Sequence, residues 1–235
     1  MEIYKPQIVD FESKEQLYNH LASYLVDRIL EINGDEGAVR ICLTGGKSVL
    51  PIYKILGEQV LIPWEKVHFY LSDERVVDSK SQDSNQYQIG QAFGDNFLAE
   101  AGEVNFFETD LPVQQVIKNY QEKLESIDGP LFDLTVLSVG PDGHIASLFP
   151  GGSYLRHHED KVLETTAPAE FDISQRISLS IESLLDSKEI LLLVAGDSKK
   201  YIPSEILQGT RKAVDFPVKF LLANPNFKIF YCPQD

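Results

Sequence analysis

Cysteine, cationic side chains and long apolar runs are all scarce in this chain of 235 residues. Its two cysteines, Cys42 and Cys232, sit inside apolar, strand-like runs. They read as small core residues in a reducing compartment, with no disulfide framework and no zinc spacing. No stretch approaches the roughly 18 unbroken apolar residues of a membrane span. Met1 to Asp10 carries Glu2, Lys5 and Asp10 and has no apolar core of a signal peptide, so a cytoplasmic protein is expected. HExxH is missing, as is any cluster of four Cys and His, so no metal is expected. G-x-S-x-G is missing too, which leaves a serine hydrolase unsupported. Finally, 21 Lys and Arg stand against 36 Asp and Glu, a net charge of −15. That balance argues against nucleic acid or an anionic membrane as a partner. It also means that a site for a small anion must gather its cations locally, so cations in turn positions carry extra weight.

What is present is globular: 43% hydrophobic and 24% charged residues. Ser13-Lys14-Glu15-Gln16 has the form of a capping box, and Leu17, Leu21, Leu25, Ile29 and Ile32 follow at helical spacing, so the pattern predicts a helix to Asn33. Strands are expected at Ala38–Leu43, Val67–Ser72, Phe106-Phe107, Phe132–Val139, Val162–Thr166, Arg176–Ile181, Ile190–Ala195 and Phe227–Cys232. Helical segments are expected up to Leu56, with Pro51 in the first turn, then over Ser84–Leu98 and Val113–Leu124. Strand and helix alternate, which argues for a parallel α/β sheet covered on both faces. No repeat, low-complexity tract or Pro/Ser linker interrupts the chain, so residues 1–235 are read as a single domain.

Chemistry-bearing residues collect where strands end. Phe132–Val139 reads as a strand buried on both faces and runs into Gly140-Pro141-Asp142-Gly143-His144. An acid and an imidazole beyond such a strand stand where open α/β sheets place catalysis, though Asp142 as the cap of a short helix is equally open on spacing alone. Gly45-Gly46-Lys47-Ser48 offers bare N–H groups, a cation and a hydroxyl for a phosphate, or is an ordinary βα turn. It is not a Walker A loop, whose first glycine is replaced by Ile41. Asp73-Glu74-Arg75 is either a solvated loop or a forked grip on an anion, with Asp73 able to orient an imidazole or take a proton. Arg176 and Lys199, taken alone, read as surface residues. His20 and His68 read as helix-face and strand residues, and His157-His158 as solvated loop. In a parallel sheet the strand ends converge on one edge, so the three turns together make a pocket for a small anion beside one group able to act as a base near neutral pH.

Asp133 with Gly140-Pro141-Asp142-Gly143-His144-Ile145-Ala146-Ser147-Leu148-Phe149-Pro150-Gly151 resembles the signature of 6-phosphogluconolactonases. Ser72-Asp73-Glu74-Arg75-Val76 with Ser84-Asn85 resembles that family's second block. Thr44 to Ser48, Arg176 to Ser180 and Gly196 to Lys199 are similar to others, in family order over roughly residues 40 to 200. Glucosamine-6-phosphate deaminases share the fold, but their block continues into Asn-Glu-Pro where this chain has Ser147-Leu148-Phe149-Pro150. The resemblance implies a three-layer α/β/α sandwich with a mostly parallel, modified Rossmann-like sheet. It implies cofactor-free hydrolysis of 6-phospho-D-glucono-1,5-lactone to 6-phosphogluconate, in the oxidative pentose phosphate pathway. His144 matches the catalytic position; Asp142 or Asp73 would hold its ring. Arg75, Arg176, Lys199 and the turn Gly45, Gly46, Lys47 and Ser48 would bind phosphate. A deaminase or isomerase on the same scaffold, and a non-catalytic sugar-phosphate sensor, are the competing readings. Oligomeric state is not legible.

Overall fold

The computed structural model describes residues 2–34, 37–94, 100–156 and 159–234. Seven strands form one sheet in the order β1-β10-β9-β6-β2-β3-β5, with every pairing parallel. They are β1 (Gln7–Asp10), β2 (Val39–Leu43), β3 (Val67–Leu71), β5 (Glu103–Asn105), β6 (Phe132–Ser138), β9 (Ser187–Ala195) and β10 (Phe227–Cys232). A second, three-stranded sheet pairs β4 (Asp73–Arg75), β8 (Gln175–Leu179) and β7 (Val162–Thr166) antiparallel. The sheets are joined by helices α1 (Lys14–Asn33), α2 (Leu50–Gly57), α3 (Asn85–Phe93), α4 (Val113–Glu125), α5 (Ile181–Leu185) and α6 (Ile202–Gln208), and by short 3-10 helices.

The local chemistry follows the pattern of residues. Ser13 Oγ accepts from the Gln16 N–H at 3.2 Å, which starts α1, and Leu17, Leu21, Leu25 and Ile29 bury its apolar stripe. Pro51 falls in the first turn of α2, where its missing N–H costs nothing. Strand β6 is buried along Phe132–Leu137, charge included. Its Asp133 accepts from the Arg40 N–H and from Lys188 Nζ, both at 2.8 Å, so the buried carboxylate joins β2 to β6 where the backbone ladder has run out.

Topology then decides where a site can stand. From β1 through β2, β3 and β5 the chain steps one way across the sheet, and α1 to α3 pack side by side. After β5 it returns past β3 and β2 to β6, with α4 in the connection. The strand order therefore reverses between β2 and β6, and ligands of open α/β sheets bind beyond the carboxyl ends at such a point. At the neighbouring β3 end the chain leaves the large sheet. Ser72 N–H donates to Leu43 O and Ser72 O accepts from Leu179 N–H, each at 2.8 Å, which starts the small sheet. Tyr120 Oη holds this exit by accepting from Leu71 N–H at 2.8 Å and donating to Leu71 O at 3.0 Å.

Several expectations are corrected. Residues 162–166 and 176–179 are strands but belong to the small antiparallel sheet, because Ser72 hands the chain across. Asp73–Arg75 is itself a strand and not a loop. The fifth strand lies at Glu103–Asn105 and not at Phe106-Phe107; Phe107 instead stacks on Tyr120 with centroids 4.0 Å apart. Strand β1 was not expected, since Gln7–Asp10 has too little apolar alternation to stand out; it earns its place as an edge along β10. The end of the helix expected over 84–98, and His157 and His158, lie outside the described residues.

Candidate active site

A cleft opens over the carboxyl ends of β2 and β6, lined by Thr44, Gly45 and Gly46 from the first turn and Ser138, His144, Ala146, Ser147 and Phe149 from the last. The small sheet roofs it with Asp73, Arg75 and Arg176, while Asn85 enters from α3 and Phe171 from the β7–β8 connection.

The segment after β6 does not become a helix. Gly140 N–H donates to His144 O at 2.9 Å and Gly143 N–H to Gly140 O at 3.0 Å, which closes a tight turn around Asp142. The cap reading of Asp142 therefore falls. Its Oδ1 accepts from the His144 backbone N–H at 3.2 Å and lies 2.6 Å from His144 Nδ1. Burial pushes the Asp142 carboxyl up, but the bonds to His144 and its charge outweigh that and hold it below the usual carboxylate range. An ionised Asp142 only accepts, so Nδ1 carries the proton and the Nε2 lone pair is left open. Nε2 has no hydrogen-bond partner among the described residues. The ring lies over Gly140, where an added Cβ would sit 2.1 Å from Cε1 and 2.2 Å from Nδ1. Phe149 flanks it at 4.8 Å between centroids and Phe171 meets it edge-on at 5.8 Å.

Asp73 takes a different part from Asp142. Its Oδ2 accepts from Ser147 Oγ at 2.7 Å, and its Oδ1 accepts from Ser72 Oγ at 2.9 Å and Thr44 Oγ1 at 3.4 Å. Of the two acids expected to hold the imidazole, the structure gives the contact to Asp142, because hydroxyls engage both oxygens of Asp73. Ala146 adopts φ 48°, a left-handed conformation costing about 1 kcal/mol for a residue with a Cβ. That turn delivers Ser147 to Asp73.

Two guanidinium groups face each other across the small sheet, since Arg75 is the register partner of Arg176. Arg176 is buried, contrary to its surface reading. Burial and the Arg75 charge both bring its pKa down, against the pull of Asp73 and Glu74. Arg75 Nη1 donates to Asp83 O at 2.5 Å, yet its buried Nε has no partner among the described residues. Arg176 Nε donates to Ile173 O at 2.9 Å, and its guanidinium lies 5.8 Å from the Phe171 ring centroid. Like charges directly opposed on adjacent strands are unfavourable, and an anion between them relieves the repulsion.

Gly45 is required by close approach: an added Cβ would lie 2.0 Å from Asn85 Oδ1. The other cations expected at the site are elsewhere. Lys47 is exposed and lines a separate groove with Lys54, because Gly46, at φ 102°, turns the chain away. Ser48 and Lys199 do not line the cleft either; Lys199 is half-buried on the turn after β9, where burial and Lys14 lower its pKa. Sequence reasoning missed Asn85, Ser147, Phe149 and Phe171 as cleft residues. Three of them lay inside the family-like blocks, and Phe171 carried no signal.

Comparison with known proteins fits this geometry. A family model described as glucosamine-6-phosphate isomerases/6-phosphogluconolactonase matches residues 12–229. The chain is 32% identical over 185 residues to a 6-phosphogluconolactonase of Thermotoga maritima, covering 79% of this chain and 80% of that one. The chain belongs to the 6-phosphogluconolactonase family of enzymes. It is also 30% identical to a probable 6-phosphogluconolactonase of Dictyostelium discoideum, over 93% of this chain and 94% of that one. The fold of the family is shared throughout: a crystal structure of a 6-phosphogluconolactonase from Thermotoga maritima superposes with a TM-score of 0.82 at 26% identity, covering 97% of this chain and 99% of that one. The three-layer α/β architecture implied by the sequence blocks is thus the observed one. Among the described residues no helix is long and apolar enough to cross a membrane.

Proposed function

We propose that this 6-phosphogluconolactonase-family chain hydrolyses 6-phospho-D-glucono-1,5-lactone to 6-phospho-D-gluconate, with His144 as general base. One observation carries the reading: a single cleft holds an imidazole with its Nε2 open, oriented by Asp142, together with the opposed pair Arg75 and Arg176. A lactone carbonyl is already electrophilic, so a base and fixed geometry suffice to direct water at it. Nε2 takes a proton as water oxygen bonds to C1. The tetrahedral intermediate then collapses with cleavage of the bond from C1 to the ring oxygen, and the imidazolium returns its proton to that oxygen. Arg75 and Arg176 take the phosphate, and the N–H groups of the Gly45-Gly46 turn border the same space.

The test generates the lactone in situ from glucose 6-phosphate and follows 6-phosphogluconate through a coupled dehydrogenase, with the uncatalysed opening subtracted. Acceleration above that background supports the reading, and none discards it. Release of ammonia from glucosamine 6-phosphate would move the chain to the deaminase branch; binding of these sugars without turnover would make it a sensor. Gly140→Ala should cost about 10²-fold in kcat with the melting temperature little changed, because the new methyl displaces the ring by an ångström or so. Activity at the wild-type level in that variant would mean that the ring position does not matter.

A further inference from the structure

Glu74 is a fully buried carboxylate at the edge of the cleft that the hydrolytic scheme leaves without a task. Along β4 the side chains alternate, so Asp73 and Arg75 face the cleft while Glu74 faces the start of α3. There it collects four donors. Glu74 Oε1 accepts from the backbone N–H groups of Arg75 and Asn85, each at 2.7 Å. Glu74 Oε2 accepts from Gln86 N–H at 2.8 Å and Ser84 Oγ at 3.1 Å. Asn85 in turn donates from Nδ2 to Asp73 O at 2.9 Å, and Arg75 reaches forward to Asp83 O. The carboxylate is thus the knot that ties β4 to the N-terminus of α3, and both residues whose N–H groups meet on Oε1 line the cleft.

We propose that Glu74 is a positioning residue for anion binding, and that its carboxylate locks Arg75 and Asn85 in the geometry that receives the phosphate. A helix N-terminus favours an anion, and here the protein supplies its own. Only a carboxylate can serve all four donors. An amide in its place offers one acceptor oxygen and turns its NH2 on the other two donors.

The clamp is sensitive to pH. Burial pushes the Glu74 carboxyl up to about 7, with Asp73 adding to the rise, while the Gln86, Asn85 and Arg75 N–H groups oppose it. The charged groups around it are its chain neighbours Asp73 and Arg75, whose side chains face the cleft, and Arg176 from β8; the first turn of α3 contributes only neutral Asn85 and Gln86. Because the folded pKa is raised, Glu74 stabilises the fold fully only below its unfolded value, and that contribution fades as pH rises through about 7. Ionisation, which the clamp needs, runs the other way, so grip improves over the range in which this contribution is lost.

The proposal rests on the reading that Arg75 binds phosphate, and two readouts keep the failures apart. In the coupled assay Glu74→Gln should raise KM about tenfold and leave kcat within about twofold. Wild-type KM should fall as pH rises from about 6 to about 8, and the variant should lose the part of that slope due to Glu74. Inorganic phosphate titrated calorimetrically should bind about tenfold more weakly to the variant, whether or not the lactone is turned over. Equal phosphate affinity, or a loss confined to kcat, overturns the clamp and leaves the lactonase reading standing. A wild type inactive on the lactone overturns that reading while the phosphate titration still decides the clamp. Should Glu74→Gln not fold, Ser84→Ala removes one donor and should weaken phosphate binding by a smaller factor; no change there overturns the proposal.

Discussion

His144→Ala should lower kcat by about 10² to 10⁴ while KM stays within a few-fold of wild type, measured in the coupled assay with the spontaneous opening subtracted. Among the described residues the imidazole hydrogen-bonds only with Asp142 and otherwise packs on Gly140, Phe149 and Phe171, so truncation removes a base and little of the fold. Asp142→Asn tests the same reasoning more finely. An amide NH2 facing Nδ1 would favour the tautomer with its proton on Nε2, which cannot take one from water. Its kcat should fall nearly as far as in His144→Ala, although no atom of the ring has been removed. Asp142, held below the usual carboxylate range by its bonds to His144, stays ionised in the wild type and keeps the ring in the tautomer with its proton on Nδ1. Turnover surviving in His144→Ala would move the base elsewhere in the cleft, with Asp73 next to be tested.

The second large effect belongs to the arginine pair. Arg75→Ala should raise KM by roughly 10- to 100-fold, the equivalent of one or two charge-assisted hydrogen bonds, with kcat changed far less. Arg75→Lys should recover only part of the loss, because an ammonium keeps the charge and not the planar fork. Arg176→Ala is expected to behave in the same sense, with a complication read from the structure. It also frees Ile173 O and the Phe171 ring, so the β7–β8 connection should loosen and kcat should suffer alongside KM. An unchanged KM in Arg75→Ala would remove that residue from the phosphate site. The contact with Asp83 O would then be the arrangement that fixes its side chain.

Much of this molecule was legible in local pattern. Helix α1 announced itself by Ser13 and a 3.6-residue stripe, and β6 by a run of β-branched and aliphatic residues whose only charge is Asp133. The DGH turn was marked by glycine and proline, because backbone that must turn sharply at a strand end restricts which residues can stand there. What escaped depends on contacts between residues far apart in sequence. A three-residue strand such as Asp73–Arg75 has no periodicity to read, and its partner Arg176 lies a hundred residues on. Lys47 looked like a phosphate ligand because it follows two glycines, but the φ of Gly46 sends it to another groove.

By itself, then, the order of residues determined the alternation of strands and helices, the turns at which chemistry could collect, and the family to which the blocks belong. The alternation and the turns are properties of short windows, set by periodicity and by the steric demands of glycine and proline; the family rests on the resemblance of the blocks. Only the tertiary structure decided which acid holds His144, that Arg75 and Arg176 stand opposed, and that Glu74 is buried on four donors. Each of those depends on strand order, register and burial, which bring together residues that no window of sequence contains.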